Sequence, residues 1–239
     1  VGDYARNIGT NARVAVYVDG VLTGRSSSFD QGLLDVAHIE VLRGPQGTLS
    51  GTNALAGAIN IITQKPEDKF TAEVLANTGN YGLAAVSGKI NLPLSDDLFA
   101  SLLLGASEQD GYIRNLTLDR ELQGANRDTA KLKFRYVGVD RLIVDVGFDY
   151  LKDEDKSTNA EALANGMFNG FTLAPEPFVV AHNADEFEQR ELKGATIEAA
   201  YETPENYKWT SITGFRSNEF RELSEEDYAP LNAAVSIFD

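Results

Sequence analysis

The sequence predicts a mainly β protein, in which a small α+β unit is followed by the antiparallel strands of a transmembrane β-barrel. From Phe70 onward, apolar and polar side chains alternate with a period of two, which is the signature of strands with one buried face. Short and long connections also alternate along the chain, as they do when all short turns lie on one side of a membrane. The segment 38–66 differs, because closely spaced glycines separate two short apolar strands there.

The first unit comprises residues 1–66. Alternation predicts a strand over residues 13–18, and Asp19-Gly20 is a turn signal between two apolar runs. Residues 24–32 are polar and serine-rich, which predicts a loop. The apolar residues of the stretch 33–37 predict one short helical turn before a strand that begins at Ile39.

The second unit comprises residues 67–239, and we count about seven strands in it. The short connections fall at residues 95–97, 138–140 and 203–206, and the long ones at about 110–126 and 154–189. A soluble β-sandwich has no reason to keep this alternation, and a long structureless insert is unusual in a compact domain. Single-chain bacterial barrels have at least eight strands. The sequence therefore predicts an incomplete barrel and a piece of a longer protein.

The clearest hairpin joins residues 130–136 to residues 144–150, with one apolar and aromatic face and one charged face. Two registers would place opposite charges across it, which stabilises a strand pair modestly. In one register Arg135 lies opposite Asp145 and Lys131 opposite Asp149, and in the other Lys133 lies opposite Asp145. In a barrel we expect the charged face to line the lumen, with the residues Lys131, Lys133, Arg135, Asp145 and Asp149.

Composition excludes several functional classes. The net charge is -15, with 15 basic and 18 acidic residues in 1–152 but 6 basic and 18 acidic residues in 153–239. Nucleic-acid binding needs a basic face, so no nucleic-acid partner is expected. The chain has no cysteine, and its two histidines, His38 and His182, lie far apart. We predict no metal site, no cofactor and no enzymatic activity, because no catalytic constellation is present.

The glycine-rich segment carries the family signal. It reads IEVLRGPQGTLSG and then GAINIITQKP, and a phosphate loop is ruled out because no Gly-Lys-Ser/Thr follows its glycines. The segment resembles the end of the plug domain of TonB-dependent outer-membrane receptors, and the upstream VAVYVDGV is similar to an earlier part of that plug. The resemblance departs at Thr52 and Ala56, where the family often has arginine and glycine.

This resemblance implies a fold and a function. Residues 1–66 would be the C-terminal part of the plug domain, and residues 67–239 the N-terminal part of a barrel of about twenty-two strands. The protein would lie in the outer membrane of a Gram-negative bacterium, in contact with its lipid. It would take up a scarce nutrient such as a ferric siderophore, energised by TonB through a segment that is not identifiable in this chain.

The resemblance also implies functional residues. Arg43 and Glu40 would lock the plug to the barrel, since a buried arginine needs acidic partners. The plug motif loop would comprise Gly44, Pro45, Gln46, Gly47, Gly51 and Gly57. Ligand-binding candidates lie in the long connections, where the aromatic residues are Tyr112, Phe168, Phe171 and Phe178. Two alternatives remain at this point, a passive porin-like or adhesin barrel and a soluble β-sandwich binding protein.

Overall fold

The computed structural model describes residues 14–23, 34–44, 56–155, 167–168, 171–172, 177–225 and 235–238. These residues form two main sheets and two small ones, and they contain no helix that is long and apolar enough to cross a membrane. The mainly β class is therefore confirmed. The expected helical turn is absent, because Leu34 and Asp35 form a turn and Val36 already begins a strand.

The first sheet belongs to the N-terminal unit and has four strands in the order β2-β1-β4-β3. Strands β1 and β4 run parallel, and the other pairs are antiparallel. Val16, Val18 and Ile61 form its buried apolar core. The strands are β1 (Val14–Val18), β2 (Val21–Leu22), β3 (Val36–Arg43) and β4 (Gly57–Thr63).

The expected turn at Asp19-Gly20 connects β1 and β2. Both residues have positive φ, 48° and 78°, as a two-residue type I′ hairpin requires. The Asp19 carboxylate accepts hydrogen bonds from the backbone N–H of Thr63 at 3.0 Å and from its hydroxyl at 2.5 Å. The turn is therefore tied to the end of β4.

The second sheet is a barrel wall of eight antiparallel strands in the order β17-β16-β15-β11-β10-β7-β6-β5. Among the described strands it is open, with β5 and β17 at its edges, so the prediction of an incomplete barrel is confirmed. Its strands are β5 (Thr71–Thr78), β6 (Ala84–Pro93), β7 (Leu98–Gln109), β10 (Ala125–Val139), β11 (Leu142–Asp155), β15 (Phe187–Glu202), β16 (Lys208–Glu225) and β17 (Val235–Phe238).

The described parts of the long connections contain short strands that the sequence did not predict. They hold a three-stranded sheet in the order β14-β8-β9 and a two-stranded sheet, β12-β13. Ile113, Leu122 and Val180 form a buried cluster in the three-stranded sheet. The strands are β8 (Ile113–Asn115), β9 (Arg120–Leu122), β12 (Met167–Phe168), β13 (Phe171–Thr172) and β14 (Val179–Val180).

The hairpin β10-β11 adopts the first of the two registers considered, with Arg135 opposite Asp145 and Lys131 opposite Asp149. The turn lies one residue later than expected, because β10 continues to Val139. This register is the one that gives Arg135 two direct hydrogen bonds to Asp145, from Nε at 2.8 Å and from a terminal guanidinium nitrogen at 2.9 Å.

The two faces of the barrel wall differ in polarity. The face that carries the four-stranded sheet is charged, whereas the outer face exposes Leu104, Phe148, Ile197 and Phe215. Exposed aromatic side chains also gather where the short turns lie, at Tyr136, Tyr201, Tyr207 and Trp209. An apolar outer band with an aromatic girdle is the pattern of a sheet that spans a membrane.

Phe148 tests this orientation, because its side chain lies on the outer face between Leu132 and Ala195 of the neighbouring strands. We expect Phe148→Arg to lower the free energy of unfolding by about 2–4 kcal/mol, the cost of arginine near the bilayer midplane. Urea unfolding of the full-length protein in lipid vesicles measures this change. Phe148→Leu is the matched control, and equal stability of the two variants would contradict a lipid-facing position.

Candidate functional site

The two main sheets meet at a polar interface, and Asp35 is at its centre. Its side chain is only 2% exposed, and its two carboxylate oxygens face different lysines of the barrel wall. Lys133 on β10 donates to Oδ2 at 2.5 Å, and Lys89 on β6 donates to Oδ1. A buried carboxylate requires such compensation, since an isolated buried charge is very costly.

Local backbone structure presents Asp35 to the wall. Asp35 has a φ of 68°, in the left-handed region that aspartate tolerates better than most residues. Its carbonyl accepts a hydrogen bond from the N–H of Gln64 at 2.9 Å. The turn before β3 is thereby fixed to the residue that follows β4.

Oxygen atoms beside Asp35 complete the contact with the barrel lysines. Lys131 donates to the carbonyl of Leu34 at 2.7 Å, and Lys133 donates to the carbonyl of Gln64 at 2.8 Å. Lys89 also donates to the side-chain oxygen of Gln64. Three lysines from two strands thus converge on one small region of the N-terminal sheet.

Lys65 forms a second contact of opposite polarity. Its ammonium donates to Glu198 on β15 at 3.1 Å and lies 3.6 Å from Asp145 on β11. Burial lowers the pKa of Lys65, but the carboxylates of Asp19, Asp145 and Glu198 outweigh it, so the pKa is raised. Lys65 is therefore a stable cation, and the N-terminal sheet offers an acid and a base to matching charges on the wall.

The segment that joins the two sheets is held by Asn91 on β6, a buried residue. Its side-chain oxygen accepts from the N–H of Glu67 at 3.0 Å, and its amide nitrogen donates to the carbonyl of Glu67 at 2.8 Å. The same nitrogen also donates to the carbonyl of Lys69. One amide side chain thus binds the linker as a neighbouring strand would.

Glycines on the wall allow close approach. A Cβ at Gly214 would lie 2.4 Å from a methyl group of Val21, and a Cβ at Gly105 would lie 3.0 Å from a methyl group of Leu34. Any larger residue at Gly214 would therefore have to displace β2. Val21 and Leu34 pack into these two gaps.

The predicted locking residues lie elsewhere on the N-terminal sheet. Glu40 accepts a hydrogen bond from Asn60 of the neighbouring strand at 3.0 Å and lies 3.5 Å from His38. Arg43, the last residue of β3, has an exposed side chain. The locking role of Arg43 and Glu40 stays a prediction.

The plug motif loop is described only at its two ends. Gly44 has a φ of 88° and Gly57 a φ of 154°. A Cβ at Gly57 would lie 2.5 Å from the carbonyl oxygen of Leu42, so only glycine fits between the paired strands. Pro45, Gln46, Gly47 and Gly51 lie outside the described residues.

The five charges expected in the lumen all lie on the inner face of the wall. Lys131, Lys133 and Asp145 are buried. Asp149 accepts a hydrogen bond from Arg216 on β16, and Arg135 pairs with Asp145 as described above. Opposite charges on different strands of the inner wall are therefore paired at two places, Arg135 with Asp145 and Arg216 with Asp149.

Two of the ligand-binding candidates lie close together at the end of the barrel with the long connections. The ring of Tyr112 is 6.2 Å from that of Phe178 and 5.3 Å from that of Tyr81, which the sequence did not single out. Tyr81 and Phe178 both have positive φ. Phe168 and Phe171 pair through their backbones across β12 and β13.

A buried histidine–glutamate hydrogen bond lies in the loops next to these rings. His182 and Glu186 are 2% and 1% exposed, and their Nδ1 and Oε2 atoms are 2.8 Å apart. Asn115 donates to the carbonyl of His182 at 3.0 Å. His182 thus contacts residues of both long connections, and within the described ranges no group of three or more His, Asp or Glu side chains could hold a metal ion.

Sequence reasoning missed the residues that form the interface, chiefly Asp35, Gln64, Lys65, Lys89 and Asn91. One signal was available, because Asp35 and Lys89 are single charges within apolar runs, LLDVA and GKINL. A charge in that setting is expected to be buried with a partner. The pattern does not say which partner, because each partner lies far away in the sequence.

Comparison with known proteins extends these observations. Residues 4–58 match the family model described as TonB-dependent Receptor Plug Domain. A pesticin receptor of Yersinia enterocolitica is 37% identical over 129 residues, which are 52% of this chain and 19% of the relative. The vitamin B12 transporter BtuB of Photobacterium profundum is 31% identical over 43% of this chain and 18% of its own length.

Solved structures show the same fold. The ferric yersiniabactin uptake receptor FyuA from Yersinia pestis superposes with a TM-score of 0.73 at 21% identity, over 90% of this chain and 33% of its own. The pyoverdine receptor FpvA from Pseudomonas aeruginosa PAO1 gives a TM-score of 0.74 at 14% identity, over 93% and 34%. The chain thus spans about a third of these structures.

Asp35→Ala tests the polar interface, because it leaves Lys89 and Lys133 without their counter-charge. Removing one partner of a buried ion pair costs about 3–5 kcal/mol. We therefore expect the free energy of local unfolding of the N-terminal sheet to fall by about that amount. Protease sensitivity of residues 14–63 in the folded full-length protein measures the change. Asp68→Ala is the control, since Asp68 is an exposed carboxylate, and equal sensitivity of both variants would contradict the role of Asp35.

Proposed function

We propose that this chain, which belongs to the TonB-dependent outer-membrane receptors, is part of a gated channel for the energised uptake of a scarce nutrient. The observation that carries the proposal is the polar interface between the two sheets. It fixes a small folded unit against the inner wall of a barrel by a limited set of ion pairs and hydrogen bonds, centred on Asp35 and Lys65. Such an interface suits a gate with two stable positions.

The proposal divides the chain into residues 1–66, the plug unit, and residues 67–239, the barrel unit. The separate four-stranded and eight-stranded sheets support this division, as does the family match over residues 4–58. Strands β5 to β17 would then supply the first part of a larger barrel whose outer face contacts outer-membrane lipid. TonB would act on the plug unit from the side of the short turns.

The cargo we propose is a ferric siderophore or a similar large iron chelate. The relatives support this class, since solved structures of similar fold include receptors for ferric yersiniabactin and pyoverdine. Cobalamin is the runner-up, because a vitamin B12 transporter is among the relatives. Tyr112, Phe168, Phe171 and Phe178 are the proposed ligand contacts, and the packing of Tyr112 against Phe178 supports grouping those two.

The alternatives from the sequence are less well supported. A passive porin or an adhesin has no need of a plug, and a soluble β-sandwich would not place its apolar face outward. A polar inner face, an apolar outer face and a plug-domain match together favour the gated receptor.

An uptake assay tests the function. We expect a Gram-negative host that expresses the full-length protein as its only iron-chelate receptor to accumulate radiolabelled iron from a panel of ferric siderophores. Accumulation should be lost in an otherwise identical host without TonB. Labelled cyanocobalamin in the same two hosts tests the runner-up cargo. Equal accumulation with and without TonB would contradict gated uptake and favour a passive pore.

The role of Arg43 and Glu40 has its own test. We expect Arg43→Ala to raise the leak current of the full-length protein in a planar bilayer, because the plug loses one of its proposed anchors. Arg43→Lys is the matched control, since it keeps the positive charge. An unchanged leak together with normal uptake would show that Arg43 does not lock the plug.

A further inference from the structure

Three lysines form a compact set on the inner face of the barrel wall. Lys89 on β6 and Lys131 on β10 lie at the same height, because both pair with Leu103 of the strand between them. Lys133 lies two residues further along the inner face of β10. Lys131 and Lys133 are buried, and the side chain of Lys89 is 18% exposed. We call this set the lysine cluster.

Oxygen atoms of the plug unit occupy the lysine cluster. The two carboxylate oxygens of Asp35 accept hydrogen bonds from Lys89 and Lys133. The carbonyl of Leu34 accepts one from Lys131, and the carbonyl of Gln64 accepts a second one from Lys133. A lysine ammonium is a compact cation that binds carboxylate or phosphate oxygens from several directions. The Asp35 carboxylate therefore binds these lysines as a free carboxylate ligand would, although it is part of the plug unit.

The surroundings leave the cluster positively charged when Asp35 is removed. Glu73 lies opposite Lys89 on β5, and Asp149 lies opposite Lys131 on β11. Asp149 already forms an ion pair with Arg216, and Glu73 is exposed. Asp145 pairs with Arg135, but Glu198 loses Lys65 when the plug unit moves away. The three ammonium groups then face two uncommitted carboxylates, Glu73 and Glu198, so this part of the wall stays positive and attracts anions.

We propose that the lysine cluster is an oxyanion-binding site on the wall of the channel, which Asp35 closes at rest. When the plug moves, a carboxylate- or phosphate-bearing cargo replaces Asp35 on Lys89, Lys131 and Lys133. Because uncompensated lysines would oppose the movement, an anion that binds them favours the open position. This inference rests on the proposed function, since it requires a plug that moves.

Ion selectivity of the full-length protein in a planar bilayer tests the site. Asp35→Ala should raise the leak current and shift the reversal potential in a potassium chloride gradient, so that the chloride-to-potassium permeability ratio rises about twofold or more. The triple variant Asp35→Ala, Lys89→Gln, Lys133→Gln should keep the leak but lose this shift. Asp68→Ala removes the same charge at an exposed position and should change neither quantity.

If Asp35→Ala does not fold, Asp35→Asn replaces it as the test variant, because it removes the charge and keeps the shape of the side chain. Citrate, a small tricarboxylate, is then the probe, and it should reduce the leak current of Asp35→Asn but not of Asp35→Asn with Lys89→Gln and Lys133→Gln.

The outcomes separate this inference from the function on which it rests. A leak with the same selectivity in single and triple variants, and no effect of citrate, would overturn the oxyanion site while leaving the gated receptor intact. An absence of leak in both Asp35 variants would mean that the lysines stay covered without Asp35, which also overturns its role as their occupant. Failure of TonB-dependent uptake by the unaltered protein would instead overturn the proposed function.

Discussion

The buried Asp35 carboxylate, held between Lys89 and Lys133, is the contact on which the arrangement of this protein depends. Lysines on the inner wall of a barrel need counter-charges, and the plug unit provides one at the turn before β3. Lys65 provides the opposite charge to Asp145 and Glu198. Because the two contacts have opposite polarity, a rotation of the plug unit that exchanged them would bring like charges together. The interface therefore defines orientation as well as attachment.

The two faces of the barrel wall lie in different environments, one apolar and one polar. Its outer face is apolar because it meets lipid, and its inner face is charged because it meets the plug unit and the lumen. Period-two alternation lets each strand satisfy both demands at once. Gly105 and Gly214 add a steric element, since they let Leu34 and Val21 approach where a larger side chain would keep the plug unit away.

A polar interface has a physical advantage in a gate. Ion pairs and hydrogen bonds can be exchanged for contacts with water or a ligand when the two units separate, whereas a large apolar contact opposes separation in proportion to its buried area. Asn91 binds the backbone of the linker at Glu67 and so holds the linker next to β6. An oxyanion that replaced Asp35 on the lysines would combine cargo recognition with the opening of this interface.

The sequence by itself determined the features that depend on neighbouring residues. Alternation along residues 130–150 was enough to predict the β10-β11 hairpin and its charged face, and Asp19-Gly20 was enough to predict a turn, because side-chain period and turn chemistry are local. The glycine-rich segment was enough to indicate the family.

Tertiary structure decided everything that joins distant parts of the chain. It selected the register that pairs Arg135 with Asp145, added β17 to the expected wall, and built short strands into connections that had no clear periodicity. It also made Asp35, rather than a residue of the glycine-rich motif, the centre of the described interface. A single acid in an apolar run, such as Asp35, indicates a buried charge that needs a partner. The lysines that pair with it, Lys89 and Lys133, are 54 and 98 residues away in the sequence. Only the packing of the N-terminal sheet against the inner face of the wall brings them together.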